Sequence, residues 1–157
     1  MVFFDGEEHE IKAEKVRFTN IPKLGTQWKV IFDLKPVIVG GGLVLSLCDS
    51  EIDRASLMLS MSSSHIFASN SQGNIEALQE ADEVPKLGQW TRVEMTHEKV
   101  DGRFYLTLSL DGEEVARVEA HPGLQRLTDV SITFVAGIHA YMPDDQGSIR
   151  KLVVLGN

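Results

Sequence analysis

The sequence of 157 residues predicts an all-β fold, a two-sheet antiparallel sandwich of the jelly-roll type with about 11–13 strands. Three observations lead to this prediction. Short segments in which apolar and polar residues alternate recur along the chain, turn dipeptides separate them, and no convincing amphipathic helix exceeds two turns. One domain over residues 1–157 is expected, because a chain of this length buries an ordinary core by itself.

The clearest elements form a predicted three-stranded meander at 88–119. In its middle strand, at 103–110, the even positions are apolar and the odd positions polar, which is the pattern of a half-buried antiparallel strand. The turn dipeptides are Asp101-Gly102 and Asp111-Gly112, since Gly adopts positive φ at low cost and Asp tolerates it. Trp90 is assigned to the first strand, and the rest of the chain is expected to add strands around this meander.

The strand predicted at 28–34 alternates as cleanly. Its even residues, from Trp28 to Leu34, are apolar and expected to face inward, whereas the odd residues, including Asp33, are expected to face outward. Pro36 ends this strand, because proline cannot donate to a ladder.

The same period of two predicts the remaining strands. They lie at 7–18, 43–48, 56–61, 65–69, 74–78, 132–138 and 147–155. Four of the segments between strands, at 49–54, 69–74, 124–129 and 139–146, are the loops expected to carry recognition, since sandwiches bind partners through variable loops on a rigid scaffold.

Composition and charge exclude several functional classes. A net charge of −8 argues against a partner made of nucleic acid and against anionic membrane surfaces, which both need a basic face. The one cysteine, Cys48, permits neither an intramolecular disulfide nor a cysteine zinc site. No apolar run approaches a membrane span, and the N-terminal residues lack the basic and apolar regions of a signal peptide.

Several short motifs stand in a characteristic order along the chain. They are GLVLSL at 42–47, GQWTRV at 88–93, LSLDG at 108–112, VARV at 115–118, FVAGI at 134–138 and GSIRKL at 147–152. In order and spacing they resemble the laminin G-like (LNS) domain of the concanavalin A-like jelly-roll superfamily, over roughly residues 18–156. Ser148 stands where that family usually has a cysteine, so the family's structural disulfide is absent here.

The resemblance implies a non-enzymatic binding or adhesion module that recognises a protein or glycan partner through rim loops. Many members of the family hold Ca²⁺ at one rim with two acidic or amide side chains, and Asp53, or alternatively Asp49, and Asp129 match those positions. Aspartates in loops also serve commonly as turn and cap residues. The predicted ligand-binding residues are Asp49, Asp53, Arg54, Asn70, Asp129 and Asp144, with Asp53 and Asp129 as the metal ligands.

Two alternatives follow from local similarities. The segment at 111–115 is similar to the steroid-binding laminin G domain of sex-hormone-binding globulin, which implies a carrier of a small apolar ligand between the sheets. Its lining is expected among Met58, Met61, Phe67, Met95 and Phe134, which equally suit an ordinary core.

The second alternative is a degenerate glycoside hydrolase-like lectin. Glu51-Ile52-Asp53 resembles a catalytic strand of laminarinase-type jelly-roll enzymes, but Ala55 stands where the acid/base carboxylate is needed.

The resemblance also implies an extracellular location, as a domain excised from a secreted or surface protein. Ser148, in place of the family's cysteine, leaves a cytoplasmic protein as the alternative. Homo-oligomers are expected because jelly rolls have exposed edge strands, although the sequence names no interface.

Overall fold

A computed structural model describes most of the chain. The described residues are 2–11, 16–19, 21, 24–36, 43–49, 54–61, 66–70, 75–76, 85–120, 130–136 and 147–156. They form thirteen β-strands and no helix, and hence no helix that could cross a membrane. The predicted all-β sandwich is confirmed.

The strands are numbered in chain order. They are β1 (Val2–Asp5), β2 (His9–Ile11), β3 (Val16–Phe18), β4 (Trp28–Pro36), β5 (Leu43–Asp49), β6 (Arg54–Met61), β7 (Ile66–Asn70), β8 (Ile75–Glu76), β9 (Thr91–Val100), β10 (Arg103–Leu110), β11 (Glu113–Glu119), β12 (Val130–Ala136) and β13 (Gly147–Gly156).

Two antiparallel sheets make up the sandwich. The seven-stranded sheet has the order β1-β13-β4-β9-β10-β11, with β2 also paired to β13. The six-stranded sheet has the order β3-β12-β5-β6-β7-β8. Neighbours in space are therefore often distant in sequence, and β13, the last strand, lies between β1 and β4 near the edge of its sheet.

The core lies between the two sheets and draws on both. On β4 the alternating residues from Trp28 to Leu34 are buried, and the six-stranded sheet contributes Leu45, Leu47 and Ile132. All of them join one hydrophobic cluster, so the alternation read from the sequence assigns the inward face of β4 correctly.

The predicted meander is present as β9, β10 and β11. Asp101 and Asp111 have φ of 51° and 50°, and Gly102 and Gly112 have φ of 85° and 86°. Two consecutive residues with positive φ are the geometry of the tight hairpin turn that Asp-Gly favours. Both turn predictions are confirmed.

The structure differs from the predictions in the N-terminal strands and at Trp90. The predicted strand at 7–18 is two strands in different sheets, because β2 pairs with β13 whereas β3 pairs with β12. β1 was not predicted; it is only four residues long, and its Val2 and Phe4 remain 63% and 65% exposed. Trp90 precedes β9, which begins at Thr91.

Candidate functional site

Four strands of the six-stranded sheet begin or end at the same end of the sheet, the Asp49 end. Asp49 is the last residue of β5 and pairs with both Arg54, the first residue of β6, and Val130, the first residue of β12. β7 ends at Asn70, in register with Leu57 of β6. The predicted loops at 49–54, 69–74 and 124–129 therefore all attach to this end.

The structure describes the backbone of three of the six predicted ligand-binding residues. The backbone of Asp49, Arg54 and Asn70 belongs to strands, so the predicted loop at 49–54 is shorter than expected. Asp53, Asp129 and Asp144 lie outside the described residues. β12 runs from Val130 at the Asp49 end to Ala136, so the segment that contains Asp144 follows the other end of that strand.

A second cluster of polar side chains lies on the outer face of the seven-stranded sheet and was not predicted. Its centre is Asp33 on β4, which is only 7% exposed although it points away from the core. In register with it are Arg92 on β9 and Arg150 on β13. Arg92 Nε lies 3.3 Å from Asp33 Oδ1, and Arg150 Nε lies 3.2 Å from Asp33 Oδ2. One nearly buried carboxylate thus joins three adjacent strands.

Two further cations belong to this cluster. Lys151 Nζ lies 4.0 Å from Asp33 Oδ2, and Lys151 sits in a bulge of β13 with φ of 55°. Lys35 Nζ lies 5.0 Å from the ring centroid of Trp90, and the guanidinium carbon of Arg150 lies 3.9 Å from the same centroid. Attraction between a cation and the face of an indole ring holds both side chains near Trp90.

This cluster forms the Trp90 surface. Its members are Asp33, Lys35, Trp90, Arg92, Arg150 and Lys151. No local sequence pattern marks this surface, because Asp33 is 59 residues from Arg92 and 117 from Arg150. Only the strand order of the sheet brings the three residues into one row.

The described residues also hold one group with the donor types of a metal site. Ligand atoms of Asp5, Glu7 and His9 lie within 4.8 Å of one another in the β1–β2 connection. Asp5 Oδ1 accepts a hydrogen bond from the Glu7 backbone N–H at 2.9 Å and lies 3.4 Å from His9 Nε2. These bonds give Asp5 an ordinary turn-stabilising role.

Comparison with known proteins defines the fold but no family. No protein-family model matches the chain. No curated protein matches it either.

Solved structures do match, at low sequence identity. The heptameric SAP-like pentraxin from Limulus polyphemus superposes with a TM-score of 0.66 and 18% identity, over 97% of this chain and 74% of that chain. A galectin from Caenorhabditis elegans gives a TM-score of 0.56 and 11% identity, over 92% and 94% of the two chains. Domain 4 of an extracellular arabinanase from Geobacillus stearothermophilus, solved with arabinotriose, gives 0.60 and 13%, over 98% and 81%.

These likenesses show the fold alone, an antiparallel two-sheet jelly roll that this chain shares with the matched structures. Matched structures include glycoside hydrolases as well as lectin-like domains, so the fold alone does not decide between binding and catalysis. The finer resemblance to laminin G domains and to the steroid carrier stays a prediction.

Proposed function

We propose that this chain is a non-enzymatic, lectin-like module that binds a carbohydrate at the Asp49 end, with Ca²⁺ as a cofactor. The lectin-like fold supports the ligand class, since the matched arabinanase domain was solved with an oligosaccharide. An extracellular location fits this proposal, because free glycans and glycan-bearing surfaces are most abundant there.

The observation that carries the proposal is the double pairing of Asp49. Its partners Arg54 and Val130 directly follow Asp53 and Asp129 in the sequence. Neighbouring strands lie about 4.8 Å apart, so the starts of β6 and β12 flank Asp49 at a separation of about 10 Å. Asp49 and the residues that follow Asp53 and Asp129 in the sequence thus meet at one end of the sheet, which supports the proposal.

The donor set at these positions fits the proposed ion. Ca²⁺ takes six to eight oxygen ligands, commonly carboxylates, carbonyls and waters. Asp53 and Asp129 would hold the ion, and the ion would supply a Lewis-acidic centre for sugar hydroxyls. Arg54 is the first residue of β6 and Asn70 is the last residue of β7; arginine is a hydrogen-bond donor, and asparagine is both a donor and an acceptor.

The sequence at the start of β6 supports binding rather than hydrolysis. A retaining glycosidase needs two carboxylates about 5–5.5 Å apart. Ala55, where the resembling enzymes carry the second carboxylate, is the second residue of β6 and pairs with Cys48. An alanine at this position supplies neither a nucleophile nor a general acid.

A glycan array tests this proposal. The wild-type chain is expected to retain a defined set of glycans in Ca²⁺ and to lose them in EDTA. The double variant Asp53→Ala/Asp129→Ala is expected to lose them in both buffers. Glu113→Ala, which removes an exposed carboxylate from β11 of the other sheet, is the matched control and should bind like the wild type.

Two results would contradict the proposal. Retention of the same glycans by the double variant would show that the Asp49 end is not the site. Release of new reducing ends from a bound glycan would show that the chain is an enzyme.

A further inference from the structure

We propose that the Trp90 surface is a second binding site, which takes the sulfate or carboxylate group of an acidic saccharide. The site lies on the seven-stranded sheet, whereas the Asp49 end belongs to the six-stranded sheet. The choice of a saccharide as carrier of the anion rests on the proposed function. The cationic site itself rests on the ion pairs around Asp33 and on the cation contacts with the Trp90 ring.

Its first basis is an excess of cations. Three of them, Arg92, Arg150 and Lys151, lie within 4.0 Å of the one carboxylate of Asp33. Lys35 is a fourth, held over the Trp90 ring. This excess occurs in a chain whose net charge is −8, so the cations are concentrated here against the overall composition.

Carboxylates near these cations do not outnumber them. Asp111 Oδ1 accepts the backbone N–H of Arg92 at 2.9 Å, and Glu10 on β2 lies in register with Ser148, which in turn pairs with Lys35. With both counted beside Asp33, three carboxylates stand against four cations. Glu94, two residues from Arg92, is engaged by Lys29 at 3.7 Å.

The second basis is the geometry of the two arginines. Both contact Asp33 through Nε, the guanidinium nitrogen closest to the backbone. Within the part of the chain that the structure describes, the terminal nitrogens of Arg92 and Arg150 have no acceptor. Terminal guanidinium nitrogens form the fork that binds carboxylate, sulfate and phosphate groups with two parallel hydrogen bonds.

The third basis is that the arginines are both positioned and accessible. Their side chains are 50% exposed for Arg92 and 31% for Arg150, whereas the Asp33 side chain is 10% exposed. Asp33 therefore acts as a buried anchor that fixes Nε of each arginine and leaves its outer part at the surface. Trp90 restrains Arg150 further by stacking, which lowers the entropy lost when an anion binds.

The ion pair of Arg117 on β11 of the same sheet has no excess of cations. Arg117 lies 2.8 Å from Glu114 and 5.7 Å from the ring centroid of Tyr105. One arginine, one carboxylate and one aromatic ring suffice there. Around Asp33 the additional cations repel one another, and an anionic ligand would relieve that repulsion. Arg117 is therefore the matched control for the experiment.

The experiment is a calorimetric titration at about 50 mM NaCl, where screening is weak. The probes are sulfated isomaltohexaose, unmodified isomaltohexaose and sodium sulfate, so that backbone and charge are tested separately. The proteins are the wild type, Arg92→Gln, Arg150→Gln, Lys151→Asn and the control Arg117→Gln. Asn tolerates the left-handed conformation of residue 151, so Lys151→Asn removes a cation and is expected to keep the fold.

The wild type is expected to bind the sulfated oligosaccharide at least about tenfold more tightly than sodium sulfate, and to bind it more weakly as salt rises. Arg92→Gln and Arg150→Gln should each weaken this binding by about tenfold or more, and Lys151→Asn by several-fold, because each removes a charged contact. Arg117→Gln should change it less than about twofold. The same variants should leave glycan retention at the Asp49 end unchanged.

Three results would overturn the inference. The first is unchanged affinity in folded Lys151→Asn and in folded Arg92→Gln or Arg150→Gln. The second is an equal loss in Arg117→Gln, which would indicate attraction to the overall charge. The third is equal affinity for sodium sulfate and the sulfated oligosaccharide, which would indicate a site for a free anion. None of these outcomes depends on Asp53 or Asp129, so failure here is distinguishable from failure of the proposed function.

Discussion

His97 stacks on Trp28 in the interior of the sandwich, with ring centroids 5.5 Å apart and planes inclined by 16°. The imidazole also stacks on Phe104, at 5.1 Å and 6°. Its Nδ1–H donates to the carbonyl oxygen of Thr26 at 2.9 Å, and among the described residues Nε2 has no partner. His97 is fully buried, and this burial lowers its pKa, against the opposing effect of the Thr26 hydrogen bond.

Stability is therefore expected to fall in mild acid. The unfolded chain binds a proton at His97 near the ordinary pKa of 6.5, whereas the folded chain binds it only at lower pH. The free energy of unfolding should decrease as the pH falls below 6.5, and the loss should be complete below the folded pKa. Urea unfolding between about pH 8 and pH 5 measures this slope.

A pair of variants assigns that slope to His97. His97→Phe keeps an aromatic ring but cannot titrate, so it should reduce the dependence on pH even though it loses the bond to Thr26. Phe104→Leu removes one stacking partner and should lower stability without changing the slope. A slope that survives in His97→Phe would assign the acid sensitivity to other groups.

Only glycine should be tolerated at position 147. Its φ is 142°, and a Cβ added there would overlap the carbonyl oxygen of Lys35 and approach Pro36. Gly147→Ala is expected to cost about 3 kcal/mol or more, because backbone strain and overlap act together. Gly112→Ala, with φ of 86° and no neighbour within 4 Å of the added carbon, should cost only about 1–2 kcal/mol. Chemical denaturation compares the two, and equal losses would contradict the overlap.

Asp33 is expected to stabilise the sheet more than an exposed ion pair does. Asp33→Asn removes the carboxylate that Arg92 and Arg150 share, and should cost about 1–3 kcal/mol. Glu114→Gln breaks the more exposed pair with Arg117 and should change stability by about 0.5 kcal/mol or less. Thermal unfolding of both variants measures the difference; a larger loss in Glu114→Gln would mean that Asp33 is not a structural anchor.

The sequence predicted those features that depend on local geometry. Alternation along β4 identified its inward residues, and two Asp-Gly pairs identified the turns of the meander, because side-chain direction and positive φ are properties of a few consecutive residues. β1 was not predicted, because it is four residues long and no turn dipeptide marks it.

The surroundings of Asp33 and the strand pairing at Asp49 depend instead on the register between strands that are distant in the sequence. Asp33 was correctly expected to face outward, yet it is nearly buried, because the order β13-β4-β9 places Arg150 and Arg92 on either side of it. No local pattern encodes that neighbourhood. The Asp49 end was predicted as a set of loops, and strand pairing adds that Asp49, Arg54 and Val130 meet there. The assignment of Asp53 and Asp129 to Ca²⁺, and the expected homo-oligomer, stay predictions.

Carbohydrate binding at the Asp49 end can be measured by thermal unfolding in the presence of an array-selected oligosaccharide. A ligand that binds only the folded chain at a hundredfold excess over its Kd adds about 2.7 kcal/mol, which raises Tm by about 5–10 °C for a domain of this size. This rise is expected in Ca²⁺, and it should be lost in EDTA and in Asp53→Ala/Asp129→Ala. No rise with any saccharide, or an equal rise in the double variant, would contradict carbohydrate binding at the Asp49 end.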